Sequence, residues 1–429
     1  MEPAPARWWH RDDHSLRSTT PRTGGCMSDR QPSGCGDAAI TGIGMATPLG
    51  HDFETVADAL LAGRSGVCEI DPCGATREPR QFAAPVKALP DLPLAPPPCD
   101  RLELLCTTTV MRALADAGLT PGDGCRVGIV LGQGAEQLKG WEADFLAGGR
   151  TVFEGPHGPT IVQRIASRLG LTGPAVSVAA ACASSGYAIA MARAWIATGL
   201  VDAVLAGGCD VISPLGLAAF YNLRALSRRG EDPERASRPF DRDRDGFVMG
   251  EGGAVFVLES PERAQARAAT PRGLVSGVGT SSDASHMVAP CEDPTQAARA
   301  IGLAMADAGI TPEEIDYINA HAAGTPAGDA AEAAAIRLAL GEAADSVPVS
   351  STKGLSGHLV SGASAFEVVA CLTAFARDAI PATANLEHPD DRCRLDHVAV
   401  QARPARVRTA VSNSFGFGGA NLAVVLRAA

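Results

Sequence analysis

The sequence predicts an α/β fold made of two similar halves, and three observations carry that expectation. Short apolar segments alternate with alanine-rich helical stretches, the pattern of mixed sheets buried on both faces. Ala113-Leu114-Ala115-Asp116-Ala117-Gly118-Leu119-Thr120-Pro121 recurs as Ala304-Met305-Ala306-Asp307-Ala308-Gly309-Ile310-Thr311-Pro312. Each copy ends a helix at a glycine and then enters a strand, so the echo reads as an internal duplication. With 429 residues, 46% of them hydrophobic, the chain is long enough to bury a large core.

Residues 1–36 are rich in Pro, Arg, Ser, Thr and Gly without a hydrophobic period, which predicts a disordered tail with Met27 as an alternative start. The first half, 37–270, opens with the apolar strand Ala38–Gly44. Its Gly42-x-Gly44 spacing, with Gly50 later, does not complete a dinucleotide fingerprint. A Pro-rich surface loop is expected at Leu89–Pro98. Further strands are expected at Arg126–Leu131, Ala175–Ala180, Ala203–Ala206 and Ala254–Leu258. In the second half, 271–429, they fall at Ile315–Ala320, Val347–Ser350 and Leu422–Leu426.

A formal net charge of −11 argues against nucleic-acid binding, because a phosphate backbone demands a basic face. The 12 cysteines are scattered without metal-like pairing, so no metal and no cofactor are expected. Free thiols in a large chain without an apolar leader point to a reducing, cytoplasmic setting. No segment reads as a membrane span; the apolar run Val176–Ala190 is interrupted by Ser177, Ser184, Ser185 and Gly186 and is too short.

The candidate chemistry begins at Cys182, within Ala180-Ala181-Cys182-Ala183-Ser184-Ser185-Gly186. An apolar strand ends just before it and a helical pattern follows, which places the thiol near a helix N-terminus. Unpaired N–H groups there favour a thiolate and predict a lowered thiol pKa; a buried structural cysteine is the plain alternative. His321 closes Asp316-Tyr317-Ile318-Asn319-Ala320-His321, and His358 lies in Ser351-Thr352-Lys353-Gly354-Leu355-Ser356-Gly357-His358. Each alone is ordinary, but with a turn-borne cysteine they form a candidate nucleophilic site. Ser412-Asn413-Ser414-Phe415-Gly416-Phe417-Gly418-Gly419-Ala420-Asn421 reads either as a plain hairpin or as a bent backbone offering N–H groups beneath an aromatic lid. The alternating charges of Arg238–Phe247 predict a salt-bridged turn; its arginines would repel a cation from any EF-hand-like loop.

Together these blocks resemble the elongating β-ketoacyl-acyl carrier protein synthases of fatty acid and polyketide synthesis. The resemblance runs from about Ala38 to the C-terminus and rests on five motifs in order: Ala180–Ser184, Arg238–Gly253, Asn319–Asp329, Ser350–His358 and Asn413–Asn421. It implies a thiolase-like fold of five layers, αβαβα. It also implies that Cys182 accepts the acyl chain, and that backbone N–H groups of Cys182 and Phe417 form an oxyanion hole. His321 and His358 would promote decarboxylation of a malonyl extender, with Lys353 organising the site and Glu367 as its partner. Thr325 would bind the phosphopantetheine arm; Phe415, Gly418 and Gly419 would contact substrate, with Phe417 as the gate. Arg224 would touch the acidic acyl carrier protein. The partner subunit would be a second copy or a chain-length-factor-like subunit, with no nucleic acid and no membrane involved.

The chain also departs from that pattern. Ala322-Ala323-Gly324-Thr325 stands where the family has Gly-Thr-Ser-Thr, so one hydroxyl that normally grips the pantetheine or a carbonyl is missing, at a cost of about 0.5–1.5 kcal/mol for a single hydrogen bond, and Gly324 lacks the family's serine hydroxyl as well. Between Gly134 and Ile161 the chain looks shorter than usual, and Ser361-Gly362-Ala363-Ser364 replaces a more glycine-rich stretch. A chain-length partner would lack the nucleophile, and an acyltransferase or decarboxylase on the same scaffold would form no new carbon–carbon bond. A degradative thiolase would use a second cysteine in place of His358.

Overall fold

The computed structural model describes residues 36–71, 81–87, 100–122, 124–149 and 158–429. The expected tail through residue 35, the Leu89–Pro98 loop and part of the segment before Ile161 lie outside these residues.

The principal sheet has eleven strands. From one edge the order is Asp396–His397, Pro348–Ser350, Tyr317–Asn319, Thr409–Gly416, Ala420–Arg427 and Gly273–Ser282. It continues with Ala38–Ala46, Gly252–Glu259, Ala203–Asp210, Val127–Gly132 and Ala175–Val178. Strands of the two sequence halves therefore form two contiguous blocks. The blocks meet over three residue pairs, Ala38–Ile40 against Gly273–Val275. Each block pairs its outer strands parallel and its inner strands antiparallel.

Three apolar cores separate the layers. Helices Ser184–Ala197 and Ala363–Arg377 pack on each other in the central core, which takes side chains from strands of both blocks. Helices Arg101–Ala117 and Ile161–Leu169 cover the outer face of the first block, and Thr295–Ala308 with Pro326–Leu340 cover that of the second. The result is the expected five-layer α/β arrangement. The stretch Val360–Arg377 is long and apolar enough to cross a membrane, but 78% of it is buried inside the protein; it is a core helix.

The nine-residue echo is structural. Helices Arg101–Ala117 and Thr295–Ala308 both stop at a left-handed glycine, Gly118 at φ 59° and Gly309 at φ 64°. Each helix also rests on a glycine pair in the strand beneath. A Cβ on Gly42 would lie 2.4 Å from Ala113 O, and one on Gly277 would lie 2.3 Å from Ala304 O. Gly44 and Gly279 meet Thr109 O and Ala300 O just as closely. The Gly42-x-Gly44 pair thus serves helix packing, which agrees with rejecting it as a nucleotide fingerprint.

Strand Gly273–Ser282 was not anticipated, because its small residues Gly273, Ser276, Gly277, Gly279 and Thr280 hide the apolar alternation. The anticipated strands are all present with ends shifted by a few residues.

Candidate active site

Cys182 sits where strand Ala175–Val178 gives way to helix Ser184–Ala197, within the single 3₁₀ turn Ala181–Ala183. Ala181 takes φ 48°, a left-handed conformation costing an ordinary residue about 1–2 kcal/mol. Packing holds it there: Ser184 Oγ accepts from Ala180 N at 2.8 Å and donates to Ala181 O at 2.6 Å, and Ser364 Oγ donates to Cys182 O at 3.2 Å.

The two histidines come from the other block. His321 follows strand Tyr317–Asn319. Buried Glu332, from helix Pro326–Leu340, takes the N–H groups of His321 at 2.8 Å and Ala322 at 2.6 Å. Asp329, one turn earlier, takes Gly324 N at 3.1 Å. Two carboxylates on one helix face thereby hold the whole loop through its backbone. His358 donates its N–H to Val248 O at 2.7 Å, while its Nδ1 accepts from Val360 N at 3.2 Å. That acceptance places the imidazole proton on Nε2.

The Cys182 sulfur and one nitrogen of each imidazole all lie within 4.8 Å of one another. The imidazoles meet edge to face, with centroids 5.4 Å apart. Lys353 is buried beside them; its Nζ bonds the His321 carbonyl and the Glu367 carboxylate. Ser414 Oγ donates to the other Glu367 oxygen at 3.2 Å. The pairing of Lys353 with Glu367 is therefore present.

Burial, then the Lys353 charge, keep both imidazoles well below their usual pKa, with His358 adding to the effect on His321. They are neutral at physiological pH, so each can donate one N–H. The expectation of a lowered Cys182 pKa is overturned: burial pushes the thiol up to about 12, although Lys353 and the Phe417 N–H act the other way. Desolvation of a nearly enclosed sulfur exceeds the help from one cation and one amide. The resting nucleophile is a thiol that must lose its proton as it reacts.

Strands Thr409–Gly416 and Ala420–Arg427 form a tight antiparallel hairpin, and its tip carries Phe417 over the nucleophile. The Phe417 N–H lies close enough to the Cys182 sulfur to favour its ionised form. At Gly416 a Cβ would stand 2.7 Å from Ala180 O and 3.4 Å from Cys182 N; only glycine lets the tip approach this closely. The segment is a hairpin, and its tip stands beside Cys182 in the wall of the site.

A narrow cavity of about 110 Å³ reaches the site. Cys182, His321, His358, Thr325, Phe415, Phe417 and Gly419 line it, so seven of the anticipated residues converge. Gly418 does not line it; it is exposed and donates its N–H to Met287 O, because the turn points its backbone outward. Thr325 caps helix Pro326–Leu340, its Oγ1 accepting from Gly328 N at 3.2 Å, which leaves its O–H free to donate. Ala323 belongs to an apolar cluster with Leu217, Phe247 and Met249, so the departure from the family pattern leaves an apolar wall. Arg224 is exposed, away from the cavity lining, just after helix Pro214–Asn222.

The Arg238–Phe247 turn is salt-bridged as expected. Buried Arg244 reaches Asp390 at 2.7 Å and Asp329 at 3.4 Å, tying the turn to the loop that carries Thr325. Several site residues had no role in the sequence reading: Glu332, Asp329, Phe220 and Phe247. Glu332 and Asp329 had a signal, since acidic residues three apart begin the helix after the His321 motif. Phe247 stacks 5.2 Å from both His358 and Phe220, and Phe220 lies 6.2 Å from Phe417; nothing local in sequence marks that chain of rings.

Two family models match: "Beta-ketoacyl synthase, N-terminal domain" over residues 37–264 and "Beta-ketoacyl synthase, C-terminal domain" over 272–387. Among curated relatives, "3-oxoacyl-[acyl-carrier-protein] synthase 2" of Vibrio cholerae is 39% identical, covering 90% of this chain and 98% of that one. The "Tetracenomycin polyketide synthase ketoacyl synthase alpha subunit" of Streptomyces glaucescens is 35% identical, covering 90% and 96%. Two solved structures are also similar. "The ishigamide ketosynthase/chain length factor" aligns with TM-score 0.82 at 32% identity, over 92% of this chain and 99% of that one. A type II polyketide acyl-carrier protein in complex with its hexaketide-bound ketosynthase, AntDE:AntF, aligns with TM-score 0.82 at 29%, over 93% and 100%.

Proposed function

The chain belongs to the beta-ketoacyl synthase family, and we propose that its condensation runs through Cys182, His321 and His358 in distinct roles. It is a 3-oxoacyl-[acyl-carrier-protein] synthase, an acyltransferase of fatty acid or polyketide elongation. The assignment of roles rests on one observation: the sulfur and both imidazoles lie within 4.8 Å of one another at the end of a cavity.

In the first half-reaction the Cys182 sulfur attacks the carbonyl of an acyl thioester. A neutral imidazole within 4.8 Å takes the thiol proton as the bond forms, and the arm thiol leaves with that proton. In the second, N–H groups of His321 and His358 bind the malonyl thioester oxygen. They stabilise the enolate formed as CO₂ departs. The enolate carbon attacks the Cys182 thioester, the Cys182 and Phe417 amides hold the oxyanion, and collapse expels the Cys182 thiolate, which takes a proton from solvent to restore the resting thiol.

Lys353 and Glu367 keep the imidazoles neutral and placed, Thr325 donates to the phosphopantetheine arm, and Phe417 gates the cavity. Phe415 and Gly419 complete the substrate contact. Acyl carrier protein delivers both thioesters, with Arg224 among its contacts. The enzyme works in the cytoplasm as a dimer, and the open edge strand Ala175–Val178 supports pairing with a second copy or a chain-length-factor-like subunit. The test is incubation with labelled acyl- and malonyl-carrier proteins. A β-ketoacyl product supports condensation; acyl exchange or CO₂ release without one supports the acyltransferase or decarboxylase reading instead.

A further inference from the structure

The sulfur and imidazoles that carry the condensation also make a ligand set that the reaction does not call on. Cys182 Sγ and one nitrogen of each of His321 and His358 lie within 4.8 Å of one another. A thiolate and two imidazoles suit Zn²⁺, which binds them tetrahedrally at about 2.3 Å from sulfur and about 2.0–2.1 Å from nitrogen. Those bonds set the ligand atoms roughly 3.3–3.6 Å apart, so closing on the ion takes side-chain shifts of about an ångström. The backbone beneath the ligands is firmly held. Glu332 takes the His321 amide at 2.8 Å, and the His358 amide donates to Val248 O at 2.7 Å.

Several features favour a cation here. Both imidazoles are neutral, kept so by burial and then by Lys353, so neither must lose a charge to bind. His321 Nδ1 is buried without a partner, so its proton can sit on either nitrogen without breaking a bond. Asp283, Asp293, Asp329 and Glu332 line the cavity, and no lysine or arginine does among the described residues, which draws cations inward. The cavity leaves the fourth position to water, as in catalytic zinc sites. Two features weaken the site. His358 Nδ1 accepts from Val360 N at 3.2 Å, so ligation through Nε2 moves the proton to Nδ1 and gives up that bond, roughly a two- to tenfold loss of affinity. Lys353 repels a cation, and Glu367 on the same ammonium offsets it. The balance describes an ion that is acquired and removed, not a resident one.

We infer that Cys182, His321 and His358 form an inhibitory Zn²⁺ site, filled only while Cys182 carries no acyl chain. As the ion enters, the Cys182 thiol proton passes to solvent and the sulfur becomes a coordinated thiolate. No electron is transferred. A thioester sulfur has no such charge to offer, so acylation and metal binding exclude each other. Binding of the metal rests on the geometry alone; inhibition of loading rests on the acyl-transfer reading above.

The experiment titrates Co²⁺ and then Zn²⁺ into chelator-stripped, full-length enzyme. Tetrahedral Co²⁺ on a thiolate gives intense visible bands with a sulfur charge-transfer band, so the spectrum reports the ligand set directly. Wild type is expected to show both; Cys182→Ala and His321→Ala should lack them, and prior loading from octanoyl-acyl carrier protein should prevent them. Zn²⁺ should bleach the cobalt bands. With free Zn²⁺ at about ten times its dissociation constant, acyl loading should slow about tenfold by mass action. A chelator should restore loading, and Mg²⁺, which prefers oxygen ligands, should leave it unchanged. Absent cobalt bands, or bands that persist in Cys182→Ala or in acyl-loaded wild type, overturn the site. Bands as expected with loading indifferent to Zn²⁺ overturn the inhibition. Bands as expected in an enzyme whose metal-free form takes no acyl group uphold the metal site and overturn the acyl-transfer reading instead.

Discussion

Lys353→Met removes the cation from a pair in which both side chains are 2% exposed. Glu367 then keeps a buried carboxylate with only the Ser414 hydroxyl for company. Breaking a buried pair in this way costs about 3–5 kcal/mol. With unfolding entropy near 2.1 cal/mol/K per residue over 429 residues, the melting midpoint should fall by roughly 3–6 °C. The double variant Lys353→Met/Glu367→Leu deletes both charges and should recover most of that loss, because apolar replacement of an entire buried pair is close to neutral. Activity should not recover with it. Lys353 also bonds the His321 carbonyl, and its charge holds both imidazoles below their usual pKa. Without it the imidazoles bind protons at higher pH, so any residual activity should lose its acidic limb earlier. Thermal denaturation of the two single variants and the double gives the coupling, and labelled condensation assays across pH give the chemistry. Additive stability losses, or a double variant restored in both stability and condensation, would refute the reasoning.

Cys182→Ala should abolish acyl transfer while malonyl decarboxylation continues through His321 and His358; undiminished condensation in that variant removes Cys182 from the mechanism. Ala323→Thr should change KM for the carrier-borne substrate with little effect on melting, since it adds a hydroxyl to an apolar wall; unaltered kinetics would make the position irrelevant to the arm. Gly416→Ala should lower the acylation rate steeply, because its Cβ would press 2.7 Å from Ala180 O and lift the Phe417 amide from the sulfur. Wild-type acylation by this variant would show that the hairpin tip is not held there. Burial raises the Glu332 carboxyl to about 7. The folded state therefore keeps a proton that the unfolded chain releases above the ordinary glutamate value of 4.5, and stability contributed by that proton is lost as pH rises through about 7. Glu332→Gln should flatten that part of the profile, worth at most roughly 3 kcal/mol; an unchanged slope in chemical denaturation between pH 5 and 8 would assign it to other groups.

Much of the site could be read from short stretches of chain. A cysteine between an apolar strand and a helical pattern, two histidines after strands, and a glycine-flanked Phe417 are local signals, and each lies where its neighbours' propensities put it. The repeat was equally legible, because a glycine helix stop and its alanine-rich helix occupy consecutive residues. The Glu332 and Asp329 support was marked only by acidic residues at the start of a helix, and that pattern alone does not say which amides they bind. The ring contacts of Phe220 and Phe247 had no local mark at all.

By itself the sequence determined which residues could react and which turns they would ride on, since backbone preference and hydrophobic period act over a few residues. Tertiary structure decided what they do together. The sheet order brings the two blocks face to face, so a sulfur from one lies within 4.8 Å of two imidazoles from the other. The same enclosure reversed the expected thiol pKa, because desolvation depends on everything packed around an atom and not on the turn that carries it.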